Sequence, residues 1–446
     1  MPHHHYIPPF ILRGFIPKET SSPKPSIRKT KKQRQREARK ARNNGQPDPE
    51  TVSAFSMRSR LIESVPIATT SGVMNFCQDA SNREHLEHLE KKLSELEGEA
   101  ARIIRELHIA AERQSSNQTF TVARSDLQLL WKFIILMHYQ NSPMEEMYQE
   151  AHPRNAPISQ WLRHLKETNG YTTDKEFWLD GLHYYLSTKH SDILKHAKQI
   201  PNDAPFHHIG ETNVDISIHQ WHALTYESFT NNHFLGIWRS HEASEFVLGD
   251  NSHRIWEGTL AGSPRLYNIY VISPKITIVL KLNISKTLPP EFEDSTLKDH
   301  PLDFPQTVYN RGPGVLGNRH ASPKDQFDAL ERHLQSPNSD NDQFTFKINK
   351  LTVNQTYLVN QVVLENLAAD ELLVFASRDA MLSTARRYDT PEGTFRKQNR
   401  RARSGASNLG QAAALPVAPS NLKRALRGWV TSPLPTLLLF AHSEPG

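Results

Sequence analysis

The sequence predicts an α+β fold, a helical N-terminal half packed with a small, mostly antiparallel sheet. Three observations predict it. From Asn82 to about Asn232 the apolar residues recur at helical spacing. After Asn232 the period drops to two, in short β-branched and aromatic runs bounded by Gly, Asn and Pro. Segments 18–50 and 391–446 carry no periodic apolar pattern, so they are expected to be disordered. The predicted division is 1–17 as a motif packed on the body and 18–50 as a disordered basic insert. Residues 51–390 then form one α+β domain, and 391–446 a disordered tail.

In chain order, "HHHYIPPFILRGF" (3–15) comes first. Pro8 and Pro9 preset φ for the first turn of a short helix, and Gly14 can end it. Ile7, Ile11 and Phe15 share a face and are expected to dock on the core. His4 and His5 then lie at one end of this helix and Arg13 at the other. The insert's spacing permits a transient helix over 27–42 with no face to bury. Next comes a helix over 82–113, with Asn82 as its cap. Its seam of Leu86, Leu89, Leu93, Leu96, Ala100, Ile103, Leu107 and Ala110 has heptad spacing. At 1.5 Å per residue it runs about 45 Å. Packing within its own domain is the favoured reading, and an intermolecular coiled coil the other. "RSDLQLLWKFIILMHYQ", capped by Ser125 or Asp126, is apolar nearly all round and therefore a buried helix.

Pro143 breaks that helix. Shorter ones follow in "MEEMYQEA", "PISQWLRHLKE", "DKEFWLDGLHYYLST", "SDILKHAKQI" and "SIHQWHALTYESF". The predicted strands are "HFLGIWRS", "SEFVLGD", "LYNIYVIS" and "KITIVLKL". Residues 286–340, rich in Pro and polar residues, are expected to be a long loop. "DQFTFKIN" is a further strand, 352–368 a helix, "ELLVFAS" a strand and "RDAMLSTARRY" the last helix.

Charge is informative by position. Residues 28–42 hold nine Lys/Arg against Glu37 alone, and 396–403 hold five with no acid. The net charge of the whole chain is +5, so the body is mildly acidic. That argues against a folded nucleic-acid surface, which needs clustered cations. Cys77 is the one cysteine, so no internal disulfide can form, as in a reducing compartment. Sequons at Asn117, Asn283 and Asn354 carry little weight without a secretory signal, and Pro8, Pro9 and Arg13 interrupt the first apolar run. No run approaches 18 apolar residues. The expectation is a soluble intracellular protein, cytoplasmic or nuclear, with no membrane contact.

The opening stretch resembles the motif HHYIPxFxLRxF of the domain-of-unknown-function 4238 family, through His4, His5, Tyr6, Ile7, Pro8, Phe10, Leu12, Arg13 and Phe15. The family's glutamate-rich helix is similar to "EHLEKKLSELEGEAARIIREL", and its next helix to "LLWKFIILMHYQNSP". Its Ser-Asp-Asn-Pro turn is matched in part by Leu248, Gly249, Asp250, Asn251 and Ser252. A later strand resembles "VISPKITIVL", and the closing strand–helix–strand resembles "FKINKLTVNQTYLVNQVVLENLAADELLVFAS". The likeness spans roughly 3–17 and 51–390. Ser252 stands where the family has proline, Gly249 where it has serine, and Asn141 where it has arginine. The opening histidines are therefore native sequence rather than a tag. The resemblance implies no established activity.

Two readings of the motif's polar residues are open. In one, His4 or His5, Arg13, Asp250 and Asn251 surround a single pocket. Asp with His can hold a divalent metal, and Arg can clamp a phosphate, which suits metal-dependent hydrolysis of a phosphoester or nucleic acid. In the other, Arg13 and Asp250 form a buried ion pair, and the protein is a binding or regulatory module whose motif holds the fold. Buried pairs are commoner than metal sites, which favours the second. His219 and His222 have a spacing that could chelate zinc, yet no HExxH and no cysteine pair accompanies them. Phosphate-binding glycine loops, nucleophile elbows and kinase signatures are absent. The partners expected are a protein along helix 82–113 and, more weakly, a nucleic acid or import receptor at 28–42.

Overall fold

The alternating β-branched and aromatic residues between His233 and Leu282 build the middle of the molecule. The computed structural model describes residues 3–5, 7–17, 32, 36, 50–70, 72–74, 83–113, 118–140, 159–199, 217–250, 252–253, 255–260, 263–310, 321–367 and 371–388. The expectations for the basic insert (apart from residues 32, 36 and 50), the Asn82 cap, Cys77, the helix at 144–151 and the tail fall outside them.

Three strands, β6 (His233–Arg239), β9 (Ser263–Val271) and β10 (Ile276–Leu282), form the centre of an eight-stranded sheet. Ile278 stands opposite both Tyr270 and Ile237, so one row of large side chains crosses all three. Outward on one side follow β8 (Ile255–Leu260) and β11 (Glu293–Asp294). On the other lies β13 (Gln343–Lys350), whose last residues pair in parallel with β6 and whose first pair with β5 (Thr119–Ala123) and β12 (Gln306–Val308). The sheet is mostly antiparallel, as expected, but larger than the small sheet anticipated. A second sheet has the order β3-β2-β14-β7, from β2 (Thr51–Ser56), β3 (Ile62–Pro66), β7 (Leu248–Gly249) and β14 (Leu372–Phe375). β1 (His3–His5) pairs with β4 (Gly72–Met74).

Ten helices are described: α1 (Pro9–Arg13), α2 (Arg83–Glu112), α3 (Arg124–Gln140), α4 (Ser159–Asn169), α5 (Asp174–Ser187), α6 (His190–Lys198), α7 (Ile218–Asn231), α8 (Pro323–Leu334), α9 (Val353–Asn366) and α10 (Arg378–Tyr388). α3 is apolar all round because it belongs to two cores. Phe133, Ile134 and Met137 join the core under the large sheet, while Ile135, Leu136 and Tyr139 join one built with α4 to α7. α2 turns its seam the same way: Ala100, Ile103, Leu107 and Ala110 are buried in the first core and Leu89 in the second. Capping boxes start α5, α7 and α9, each closing two backbone donors that a helix start leaves open. Lys132 donates to the Leu186 and Thr188 carbonyls at 3.2 and 2.9 Å, which caps the end of α5.

Several expectations need correction. The stretch 286–340 holds β11, β12 and α8, the last started by Ser322, whose hydroxyl accepts the Asp325 N–H, and by Pro323 in the first turn. "SEFVLGD" supplies just two strand residues, because 244–247 are held by irregular contacts such as Val247 N–H on the Asn360 side chain. α3 opens at Arg124, with Ser125 and Asp126 inside its first turn. No helix among the described residues is long and apolar enough to cross a membrane.

Candidate functional site

α1 is too short to hold itself and is ordered by docking. Ile7, Ile11, Leu12 and Phe15 are all buried, and the Phe10 ring lies 5.9 Å from that of Phe133 on α3. Gly14 ends the helix in right-handed geometry, φ −63°, so left-handed freedom is not its use. A Cβ there would crowd the Ile11 carbonyl at 3.0 Å and approach Ser273 Cβ at 3.7 Å.

Arg13 and Asp250, the two of the motif's polar residues whose side chains are described, do not meet. Arg13 lies at the surface, where its fork meets the Glu50 carboxylate at 3.1 and 3.3 Å, with the two side chains 42% and 36% exposed. It makes no pair with Asp250, so the expected buried Arg13–Asp250 bridge is replaced by a surface one. Asp250 follows β7 instead, and its carboxylate accepts the Leu372 N–H at 2.9 Å while its own N–H donates to the Leu372 carbonyl. It thereby extends the pairing of β7 with β14. His4 and His5 contribute backbone to β1; their side chains, and Asn251, lie outside the described residues.

Beside this turn, His253 is buried, and its carbonyl accepts the Nδ1–H of His138 from the end of α3 at 2.9 Å. Its ring centroid is 6.1 Å from that of Tyr270 on β9. His253 Nδ1 and the Tyr270 hydroxyl are both buried and make no hydrogen bond among the described residues. Two residues back along β9, the Asn268 amide donates to His233 Nε2 at 3.2 Å, while His233 Nδ1–H donates to the Phe229 carbonyl. Burial pushes His253 and His233 down to about 4 and pushes the Tyr270 phenol up. The His253 and His233 rings beside the Asp250 turn are therefore uncharged at pH 7 and offer neutral donors and acceptors rather than an anion clamp.

The histidines of α7 diverge. His219 Nε2 lies 3.3 Å from Asp180 Oδ2 and its ring stacks on Tyr184 at 4.8 Å, half exposed. His222 points into the second core, ringed by Tyr139, Tyr184 and Tyr185, and burial pushes it down to about 3. Gly181 makes room for it, since a Cβ there would lie 2.5 Å from His222 Cε1 and against the Tyr139 hydroxyl. Among the described residues no group of three or more His, Cys, Asp or Glu is placed to hold a metal ion.

A buried polar cluster escaped the sequence reading. Asp342 is fully buried and accepts from His333 Nε2 at 2.9 Å, Arg124 Nη2 at 2.9 Å and the Asn310 N–H at 2.7 Å. The arginine also lies 4.8 Å over the Phe344 ring. Each carboxylate oxygen is satisfied, so the cluster ties α3, α8, β12 and β13 together. These residues lie far apart in the chain, and no local pattern announces them.

The family model described as "Protein of unknown function (DUF4238)" matches residues 3–366. No curated protein and no solved structure matches the chain. The match takes in every element from β1 to α9, including the docked α1, the two-core helix α3 and the Asp250 turn. Covering most of the 446 residues, it establishes that the chain belongs to the DUF4238 family of proteins of unknown function.

Proposed function

We propose that the protein is a binding module whose motif residues hold its fold. The observation that supports this is the separation of Arg13 and Asp250 into different structural tasks. Arg13 is engaged with Glu50, and Asp250 with the backbone of β14. A metal-dependent phosphoester hydrolase would instead need these groups around one reacting centre. The buried histidines are held neutral, which suits packing more than metal-free acid–base work at pH 7.

Thermal unfolding of the full chain with Mg²⁺, Mn²⁺, Zn²⁺, nucleotides or inorganic phosphate tests the reading. A ligand at about 100 times its dissociation constant adds roughly 2.7 kcal/mol, a shift of several degrees. The expected result is no shift that depends on Asp250. A shift abolished by Asp250→Ala, in a variant that still folds, would overturn the reading in favour of the hydrolase.

A further inference from the structure

β3 is the outer strand of the second sheet. Its phase is set at both ends of the ladder: Ser56 N–H donates to the Leu61 carbonyl at 3.0 Å, and Ile67 N–H to the Glu50 carbonyl at 2.9 Å. Backbone groups alternate along an antiparallel strand, so residues 61, 63, 65 and 67 face β2. Ile62 and Ser64 therefore turn their N–H and C=O groups outward, along an edge that no described strand covers.

The side chains around that edge are those of a contact surface. Leu61 and Ile62 are large, apolar and consecutive, 60% and 38% exposed. Arg58 and Arg60 are exposed in the turn that leads into the strand, and among the described residues neither meets a carboxylate. Arg60 holds a φ of +59°, a left-handed conformation unusual outside glycine. Glu63 projects from the sheet face opposite to that of Ile62 and Ser64. Folded proteins ordinarily blunt such an edge with charge, a bulge or a cover.

We propose that β3 receives an extended segment of a partner protein as an added strand, a segment that alternates apolar and acidic residues. The outward N–H and C=O groups of Ile62 and Ser64 supply the pairing, and Leu61 and Ile62 the apolar contact. Arg58 and Arg60 select acidic side chains by charge complementarity. The proposal rests on the binding-module reading and gives that reading a surface.

The test uses the full chain and two fluorescein-labelled heptapeptides, one alternating valine with glutamate and one alternating valine with lysine. Ser64→Pro removes an outward N–H and leaves the bonds to β2 in place, because Ser64 does not face β2. Arg58→Glu with Arg60→Glu reverses the charge and leaves the backbone edge intact. The glutamate peptide is expected to bind and to slow amide exchange within 59–67. Each variant should weaken binding about tenfold or more at an unchanged melting temperature. Equal binding by folded Ser64→Pro overturns the proposal, and so does equal binding by the charge-reversed chain. Preference for the lysine peptide, or no binding by either, also overturns it. An Asp250-dependent metal or phosphate shift, by contrast, would sink the binding-module reading and leave the peptide result to stand or fall separately.

Discussion

Replacing Asp342 with alanine should destabilise the chain far more than breaking any of its surface ion pairs. The carboxylate is fully buried and receives His333, Arg124 and the Asn310 N–H. Its removal strands an arginine that is 19% exposed, together with the His333 and Asn310 donors. Removing one partner of a buried pair costs about 3–5 kcal/mol, most of it from the uncompensated charge left behind. Urea unfolding of the full chain, followed by tryptophan fluorescence and far-ultraviolet dichroism, measures the loss. With a slope of about 3 kcal/mol per M, the midpoint should fall by roughly 1 M. Arg13→Ala is the internal control, because its pair with Glu50 is solvent-exposed and should be worth below about 1 kcal/mol. An Asp342→Ala chain no less stable than Arg13→Ala would refute the claim that burial and full satisfaction make this cluster a structural tie.

Three further outcomes are expected. Gly181→Ala should destabilise by about 1–3 kcal/mol, because the new Cβ meets His222 and the Tyr139 hydroxyl; a melting temperature equal to wild type would contradict it. Asp250→Ala should cost about 1 kcal/mol by leaving the Leu372 N–H without its acceptor, while Asp250→Asn retains a carbonyl for it and costs less, a ranking that urea midpoints can check. Acidification should also destabilise. His222 is held at about 3, and His190, His233 and His253 at about 4, all by burial. The unfolded chain protonates these rings near 6.5, so between about 6.5 and 4 it binds more protons than the folded chain. Stability is therefore complete above about 6.5 and falls as pH drops, by roughly 2 kcal/mol per ring at pH 5. Glu97, raised to about 7, and Glu227, also raised, act in the opposite sense but are fewer. Unfolding midpoints at pH 7 and pH 5 decide it, and a higher midpoint at pH 5 would reverse the conclusion.

Much of the fold was legible because its signals are local. β9, β10, β13, α9 and α10 each carry their whole periodicity in one short run, and α3 betrayed its double burial by having no polar face. The β2–β3 hairpin was not anticipated, because "TVSAFSMRSRLIESVP" mixes serines and charges with its apolar residues. β14, which covers the other side of β2, arrives more than 300 residues later. β8 was missed for a different reason: Gly258, at φ +77°, interrupts its alternation with a bulge. At the site, sequence supplied charges without distances. Arg13 was matched to Asp250 by motif membership, while Glu50, its actual partner, is the last residue of the stretch assigned to the basic insert. The docking of Ile7, Ile11 and Phe15 was legible, because three apolar residues on one face of a one-turn helix have nowhere else to go.

That docking is where the role of the opening motif is decided. The unfolding free energy of full-length Phe15→Ala, beside wild type, is the most direct measurement. Phe15 is fully buried in the main core, so its truncation should cost about 3–5 kcal/mol. Stability within about 0.5 kcal/mol of wild type would mean that the motif is not a structural element. The dispersal of Arg13 and Asp250 would then have to be explained in some other way.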